Sequence, residues 1–220
     1  MIFQNREKAG QKLAEMLTEY CGVDGLVLAV PRGGVVVGYQ IAQALNLPLD
    51  VIVPRKLGAP GEPELAIGAV APWGDHEVIL DQLTVQYLGV TDEYIRRETK
   101  AQIEEIDRRL HEYRGTAESP DVRNKAVILV DDGIATGYTI QAALRSLRQL
   151  VPSEIVLAVP VAASDSAQLL SKLVDSFHAI ATPTPFIAVG HWYEEFMQTT
   201  DGEVISLLRR RKVEIEGNAK

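Results

Sequence analysis

The chain has 220 residues, of which 46% are hydrophobic and 24% are charged, and these proportions are those of a folded globular protein rather than a disordered one. A balance of 22 basic against 30 acidic residues gives a net charge of −8, which disfavours broad binding to nucleic acid or to an anionic membrane surface. No apolar run approaches the roughly 18 to 20 residues of a membrane span. Cys21 is the single cysteine, so an intrachain disulfide is excluded and a reducing, cytoplasmic location is the simplest expectation.

Short apolar runs alternate with helix-period patterns along most of the chain. Helices are predicted over about 6–21, 35–45, 140–150, 163–173 and 202–211. Buried strands are predicted at Gly25–Val30, Asp50–Val53, Ala126–Val130, Ile155–Val159 and Phe177–Ala181. This alternation predicts an α/β fold with a doubly wound, mostly parallel sheet flanked by helices, and we expect a single domain over residues 1–220.

The middle of the chain departs from this alternation. Leu57–Glu64 holds two glycines and two prolines, which predicts a mobile loop or flap instead of a regular element. Residues 65–71 and 77–80 are expected to pair as a short hairpin. Residues 91–113 form a long predicted helix whose apolar stripe suits either the seam of a homo-oligomer or packing on the rest of the domain. Packing is favoured, because the repeat is too short for a sustained coiled coil.

The most informative stretch lies at 127–139, where the chain reads Val-Ile-Leu-Val-Asp-Asp-Gly-Ile-Ala-Thr-Gly-Tyr-Thr. A buried strand ends in Asp131 and Asp132, and a loop of small residues then leads into a helix. The N–H groups of such a loop and of the helix start attract a phosphate. The two carboxylates can accept hydrogen bonds from ribose hydroxyls and help to hold Mg²⁺ through oxygen. An isolated Asp-Asp pair is more often only a solvated loop end, so the whole string carries the interpretation.

Two basic sites accompany this stretch. Arg32, Gly33 and Gly34 follow the first predicted strand, at the edge of the sheet where ligands bind in open α/β folds. Arginine suits bidentate contacts to phosphate, and glycine lets the backbone approach a ligand. Arg55 and Lys56 follow the second strand, where a basic pair taken alone is most often just solvated. A P-loop is excluded, because the Lys-Ser/Thr of that motif is missing, and the four histidines do not have metal-ligand spacing.

The string at 127–139 closely resembles the motif with which type I phosphoribosyltransferases bind phosphoribosyl diphosphate (PRPP). The match consists of a hydrophobic strand, Asp-Asp, and then Ala-Thr-Gly-x-Thr in register. The resemblance implies a Mg²⁺-dependent transfer of ribose 5-phosphate from PRPP to a nitrogenous base, with release of pyrophosphate. By this resemblance the PRPP-binding residues are Asp131, Asp132, Gly133, Ile134, Ala135, Thr136, Gly137, Tyr138 and Thr139.

The resemblance also distributes roles within the site. Residues 134–139 would cradle the 5′-phosphate, while Asp131 and Asp132 would hold the ribose hydroxyls and, indirectly with the substrate, the Mg²⁺. The diphosphate would meet Arg32, Gly33, Gly34, Arg55 and Lys56, with Arg32 and Lys56 as the catalytic candidates. A flexible loop after Lys56 would close over the site and exclude water.

The base is expected under a hood built from roughly 182–200 and parts of 57–115. In purine-type members an aromatic side chain stacks on the base, which makes Phe186 and Trp192 candidates; the other interpretation is that these rings pack the C-terminal helices. Ala135 stands where 6-oxopurine enzymes have an aspartate, which disfavours hypoxanthine or guanine as the base. A PRPP- or nucleotide-sensing protein with the same fold and little transferase activity remains the alternative function.

Overall fold

The computed structural model describes residues 2–218. Within them the strands β1 to β8 are Gly25–Ala29, Leu49–Val51, Arg55–Ala59, Glu62–Val70, Val78–Leu80, Ala126–Val130, Glu154–Val161 and Ser176–Ala181. The helices α1 to α7 are Arg6–Ala14, Gly33–Leu45, Gln82–Leu88, Asp92–Arg114, Tyr138–Gln149, Ser164–Leu170 and Asp201–Asn218. Short 3-10 segments occur at Glu15–Tyr20 and Val189–Trp192.

The chain divides into two compact units. The second unit consists of Val53–Ser119 and Gly137–Leu150, and the first unit consists of the remaining segments. Residues 182–200 therefore fall in the first unit and the stretch 57–115 in the second. The expectation of a single domain with a hood built from both stretches stays a prediction.

The first unit is built on a five-stranded sheet in the order β2-β1-β6-β7-β8, with every neighbouring pair parallel. All five residues of β1 and of β6 are buried, as expected for strands covered on both faces, and this burial explains their uninterrupted apolar sequences. The predicted α/β fold is confirmed. Ala29 lies opposite Val130 in the register, so β1 and β6 end level with each other.

The core of the first unit lies between this sheet and its helices. Leu13 and Leu17, Ile41 and Leu45, and Ile128 of β6 belong to one cluster of buried side chains. Burying a leucine or isoleucine side chain stabilises the fold by roughly 1.5–3 kcal/mol each. Because α1 and α2 contribute to the same cluster as β6, the ends of these elements are held in fixed positions in the first unit.

The second unit contains an antiparallel sheet in the order β3-β4-β5. The pairing of β4 with β5 agrees with the predicted hairpin, but the prediction that 57–64 holds no regular element is wrong, because β3 and β4 run through this stretch. The mobility predicted for this stretch stays a prediction. The glycines and prolines of residues 57–64 fit the tight, irregular hairpin between β3 and β4. Gly61 has φ +78° in the turn, and a β-carbon at Gly58 would lie 2.7 Å from the Cα of Pro63. The register shifts on both sides of Gly58, which is where a strand tolerates a proline.

The long helix α4 matches the prediction at 91–113. The Thr91 hydroxyl accepts the N–H of Tyr94 at its start, and Gly115 ends it with φ +78°. Ile106, Leu110 and Tyr113 are buried, so the second half of the apolar stripe packs within the second unit. The short helix α3 was not predicted. Among the described residues no helix combines the length and the apolar character needed to cross a bilayer.

Candidate functional site

The strand order places a crevice between β1 and β6. The chain passes from β1 outwards to β2 and later resumes on the other side of β1 with β6, and open α/β sheets bind ligands at such a reversal, outside the carboxyl ends of the strands. A cavity of about 380 Å³ lies there in the first unit. Its lining residues are Arg6, Val30, Pro31, Arg32, Gly33, Asp131, Asp132, Phe196, Gln198 and Thr199.

The acidic pair stands at the carboxyl end of β6, as predicted. The carboxylate of Asp131 accepts the backbone N–H of Asp132 through Oδ1 at 2.8 Å. Desolvation raises the pKa of Asp131 well above its ordinary value, the neighbouring Asp132 carboxylate raises it further, and the positive charge of Arg6 opposes both effects. Nearby positive charge is therefore needed to stabilise the ionised forms of these two adjacent carboxyl groups.

Arg6 supplies that charge from the start of α1. Its Nε donates to Oδ2 of Asp132 at 2.6 Å, and its Nη1 donates to the carbonyl oxygen of Met197 at 2.7 Å. Its guanidinium carbon lies 3.8 Å from the centroid of the Phe196 ring. The Tyr193 hydroxyl donates to the carbonyl oxygen of Asp132. We call Arg6, Asp132, Tyr193 and Phe196 the Arg6 cluster.

No sequence pattern indicates the Arg6 cluster. In the sequence, Arg6 is a charged residue at the start of the helix predicted over about 6–21, and Tyr193 and Phe196 fall within the stretch 182–200. The contacts of Arg6 join residues 126 or more positions apart, so no local pattern contains them. The one local signal is Asn5, whose side chain accepts the N–H of Lys8 and so begins α1 directly before Arg6.

Gly33 and Gly34 lie against the acidic pair. A β-carbon at Gly33 would fall 1.9 Å from Oδ2 of Asp132 and 2.6 Å from Nε of Arg6. A β-carbon at Gly34 would fall 3.0 Å from the Cα of Asp131 and from the carbonyl oxygen of Val130. The structure therefore brings these predicted residues together with the acidic pair, and it explains the glycines by contact with the Asp residues.

Arg32 also lines the cavity. Its Nη1 lies 3.7 Å from Oδ2 of Asp201, and both side chains are about one-third exposed (32% and 39%). Asp201 opens α7, whose start is fixed because Thr200 and Glu203 bond reciprocally to each other's N–H groups. An ion pair so open to water contributes little, so Arg32 can exchange Asp201 for an anionic ligand.

The loop after the acidic pair is hydrogen-bonded to the end of β7 and to the segment that begins α6. Gly133 is buried, and a β-carbon there would meet the Val189 side chain at 2.5 Å. Ile134 is also buried; its N–H donates to Val161 and its carbonyl accepts from Ala163. The N–H of Ile134 is thus engaged within the protein and is not free for a phosphate. Ala135 and Thr136 are exposed.

The rest of the predicted phosphate loop belongs to the second unit. Gly137 has φ +76° and opens α5. The hydroxyl of Tyr138 donates to Oδ2 of Asp81 at 2.8 Å; burial and then the Asp81 carboxylate raise the pKa of Tyr138 to about 12. Thr139 is half-buried in the first turn of α5. The Tyr138 hydroxyl is therefore occupied by Asp81.

Arg55 and Lys56 lie in β3, also in the second unit. The Nε of Arg55 donates to Oε1 of Gln102 at 2.8 Å. Burial, followed by the positive charge of Arg109, lowers the pKa of Arg55. Lys56 is half-buried and pairs with Ala69 of β4 in the register. Their predicted contact with a diphosphate stays a prediction.

The predicted base-stacking rings lie against each other. The ring centroids of Phe186 and Trp192 are 6.2 Å apart with planes 20° from parallel, and both rings pack on the buried cluster of Phe3, Ala9, Val161 and Tyr193. Neither residue is among those lining the cavity, where the aromatic side chain is Phe196. Their role towards a base therefore stays a prediction, and their packing role is observed.

The carboxylate oxygens of the acidic pair suit a magnesium ion that binds together with a phosphate-bearing substrate. Within residues 2–218 no group of three or more His, Cys, Asp or Glu side chains converges as a metal site. Asp131 and Asp132 provide oxygen donors, which Mg²⁺ prefers, but Oδ2 of Asp132 is already bound by Arg6. Two such carboxylates fit an ion whose remaining ligands are water and substrate phosphates.

Comparison with known proteins gives consistent results. A phosphoribosyl transferase domain model matches residues 2–192. Two Mycobacterium tuberculosis proteins, from strains CDC 1551 / Oshkosh and ATCC 25618 / H37Rv, have provisional names as phosphoribosyl transferases. Each is 37% identical to this chain over 209 residues. The matched part is 95% of this chain and 47% of the relative's own length. The chain thus spans about half the length of these relatives.

A solved structure agrees over a larger share of both chains. The protein TT1426 from Thermus thermophilus is 38% identical, with a TM-score of 0.77 over 96% of this chain and 99% of that one.

Proposed function

Because the chain belongs to the phosphoribosyl transferase family, we propose that it transfers ribose 5-phosphate from PRPP to a nitrogenous base and releases pyrophosphate, with Mg²⁺ as cofactor. The observation that carries the proposal is the acidic pair Asp131–Asp132 at the reversal of strand order, in contact with the glycine loop after β1. In this crevice, carboxylate oxygens can accept hydrogen bonds from ribose hydroxyl groups, and the glycine backbone can come close to the same ligand.

Each part of the first-unit site has a role in this proposal. Asp131 and Asp132 accept hydrogen bonds from the ribose hydroxyls. The exposed residues Ala135 and Thr136 receive the 5′-phosphate, and Arg32 with the backbone of Gly33 and Gly34 receives the diphosphate. Tyr138, Thr139, Arg55 and Lys56 keep the roles predicted from the sequence.

The protein contributes positioning and charge in this reaction. Holding PRPP and the base in the reacting geometry removes most of the entropy of their encounter. Arg32 stabilises the negative charge that develops on the leaving diphosphate, and the carboxylates of the acidic pair stabilise the cationic sugar. Mg²⁺, when bound with the substrate, neutralises part of the diphosphate charge.

The acceptor is a nitrogenous base in this proposal. Ala135 is exposed and has no group that exchanges a proton. A base whose nitrogen must be deprotonated by a carboxylate at this position is therefore disfavoured, which includes 6-oxopurines.

The first test is calorimetric titration of PRPP with Mg²⁺, followed by a pyrophosphate-release screen over purines, pyrimidines and other nitrogen nucleophiles. The double variant Asp131→Asn, Asp132→Asn should lose PRPP-dependent turnover while keeping its circular dichroism spectrum. Asp121→Asn, an exposed carboxylate in the same unit, is the matched control and should behave as wild type.

The outcomes separate the functions. Binding of PRPP with pyrophosphate release supports the transferase. Binding without release for any base would replace it with a PRPP-sensing protein. Turnover retained in the double variant, or no binding of PRPP at all, would remove the assignment.

A further inference from the structure

Arg6 is almost fully enclosed beside the acidic pair. Its side chain is 11% exposed, and that of its partner Asp132 is 16% exposed. The guanidinium lies between the Asp132 carboxylate and the Phe196 ring, and it also bonds the Met197 carbonyl. An arginine bound on three sides has one favoured position and loses little further entropy when a ligand arrives.

The positive charge of Arg6 lies where the cavity would otherwise repel an anionic ligand. The loop after β6 carries the two adjacent carboxyl groups of Asp131 and Asp132. PRPP carries a diphosphate and a phosphate, which are also negatively charged. Bringing a polyanion to two carboxylates is unfavourable unless positive charge lies next to them. Arg6 is bonded to this pair through Oδ2 of Asp132.

The packing shows that the Arg6–Asp132 pair is built into the pocket. The β-carbon that Gly33 lacks would overlap both Oδ2 of Asp132 and Nε of Arg6. Tyr193 holds the other end of Asp132 by donating to its carbonyl oxygen. The Asp132 side chain and its backbone are therefore fixed by two different residues of the Arg6 cluster.

We propose that Arg6 is a positioning residue of the PRPP site, which orients the Asp132 carboxylate for the ribose hydroxyls and offsets the charge of the acidic pair when PRPP binds. This inference rests on the proposed function. Arg6 acts through Asp132 and through the local charge, so its loss should weaken PRPP much more than the acceptor base.

A purely structural role makes a different prediction. Through the Met197 carbonyl, Arg6 also ties the segment before α7 to α1. If that tie were its only task, replacing Arg6 would lower stability and reduce kcat or the amount of active protein, with no selective effect on the KM for PRPP. The split between the two KM values therefore distinguishes the two roles.

The experiment compares Arg6→Ala, Arg6→Lys and Phe196→Leu with wild type. PRPP binding is measured by calorimetry with Mg²⁺, and KM for PRPP and for the base is measured in the pyrophosphate-release assay. Lys8→Ala is the matched control, because it removes one positive charge from an exposed site on the same helix. Thermal unfolding of each variant identifies those that fold.

For Arg6→Ala we expect a KM and a Kd for PRPP at least about tenfold higher, since a charge-assisted hydrogen bond is lost, and a KM for the base within about twofold of wild type. Arg6→Lys should recover part of the loss, because it keeps the charge but not the fork and the stacking. Phe196→Leu should raise the KM for PRPP less than Arg6→Ala does, and Lys8→Ala should not change it.

Each contrary result has a definite meaning. An unchanged KM for PRPP in folded Arg6→Ala, or equal rises in both KM values, overturns the positioning role while leaving the transferase intact. If Arg6→Ala does not fold, an unchanged KM for PRPP in both Arg6→Lys and Phe196→Leu overturns it. A wild-type protein that binds no PRPP overturns the proposed function, and this inference with it.

Discussion

The backbone of Gly33 lies directly against the carboxylate of Asp132, so that a β-carbon at position 33 would fall 1.9 Å from Oδ2. No real side chain tolerates such a distance, and the carboxylate would have to move. The same β-carbon would also press on Nε of Arg6 at 2.6 Å. The loop after β1 and the acid after β6 are thus fitted to each other, and a change in one is transmitted to the other.

Replacing Gly33 with alanine tests this fit. We expect Gly33→Ala to displace the Asp132 carboxylate and to weaken PRPP binding by about tenfold or more, with a loss of stability of about 1–3 kcal/mol from overpacking. Calorimetry measures the affinity, and urea unfolding measures the stability. Gly217→Ala is the control, because no other atom of the described residues lies within 4 Å of the β-carbon that this change would add. An affinity equal to that of wild type in Gly33→Ala would show that the contact is unimportant for the ligand.

A second prediction concerns Arg211, a buried cation of α7 that is 2% exposed. It donates to the Leu47 carbonyl at 2.9 Å, to Oδ1 of Asn46 at 3.0 Å and to Glu214 at 3.0 Å. Arg211→Ala leaves the Leu47 carbonyl, just beyond the end of α2, without this donor. We expect the free energy of unfolding to fall by about 2–4 kcal/mol, because a buried charged network loses its centre.

The neighbouring arginine provides the control for that measurement. Arg210 also pairs with Glu214, but its side chain is 64% exposed. Arg210→Ala should change the free energy of unfolding by less than about 0.5 kcal/mol. Urea unfolding of both variants decides the matter, and similar losses in the two would contradict a special role for the buried cation.

Two of the five parallel strands, β1 and β6, were predictable because each is an uninterrupted apolar run. In β1 and β6 every residue is buried, and burial on both faces is what removes polar residues from a strand. The hairpin at 57–64 was not predictable by the same rule. Gly58 and Pro63 normally interrupt strands, and only the close pairing across the irregular register makes them suitable for one.

The site was predictable in part for a similar reason. Asp131, Asp132, Gly33 and Gly34 are local in sequence to the ends of two strands, and parallel strands bring those ends together. Arg6 reaches the same point from α1 by a contact across 126 positions, which no local pattern contains.

A third prediction concerns Trp192, one of the two residues predicted to stack on the base. Trp192 stacks on Phe186 and packs, partly buried, on a buried cluster, so Trp192→Ala should lower the free energy of unfolding by about 1–3 kcal/mol. In the protein that remains folded, a role in packing alone would leave the KM values for PRPP and for the base within about twofold of wild type. A selective rise in the KM for the base would instead support the stacking role predicted from the sequence.

The last prediction concerns Glu105 of α4. Its carboxylate accepts from Nε of Arg109 at 2.6 Å and from Nε of Arg108 at 2.7 Å. The hydrogen bonds from Arg108 are the largest cause that lowers the pKa of Glu105 from 4.5 to about 2, and those from Arg109 act in the same direction. A carboxyl group whose pKa is depressed in the folded state adds stability above its unfolded pKa and loses it as the pH falls through the folded value.

Glu105→Gln should therefore be less stable than wild type at pH 7, by less than about 1 kcal/mol because the pairs are near the surface. The difference should shrink as the pH falls from about 4.5 towards about 2, and it should also shrink at high salt. Glu104→Gln, at the exposed neighbouring position, is the matched control. Urea unfolding between about pH 2 and pH 7 makes the comparison. A difference that stays constant over this range would mean that the stabilisation by Glu105 does not come from its charge.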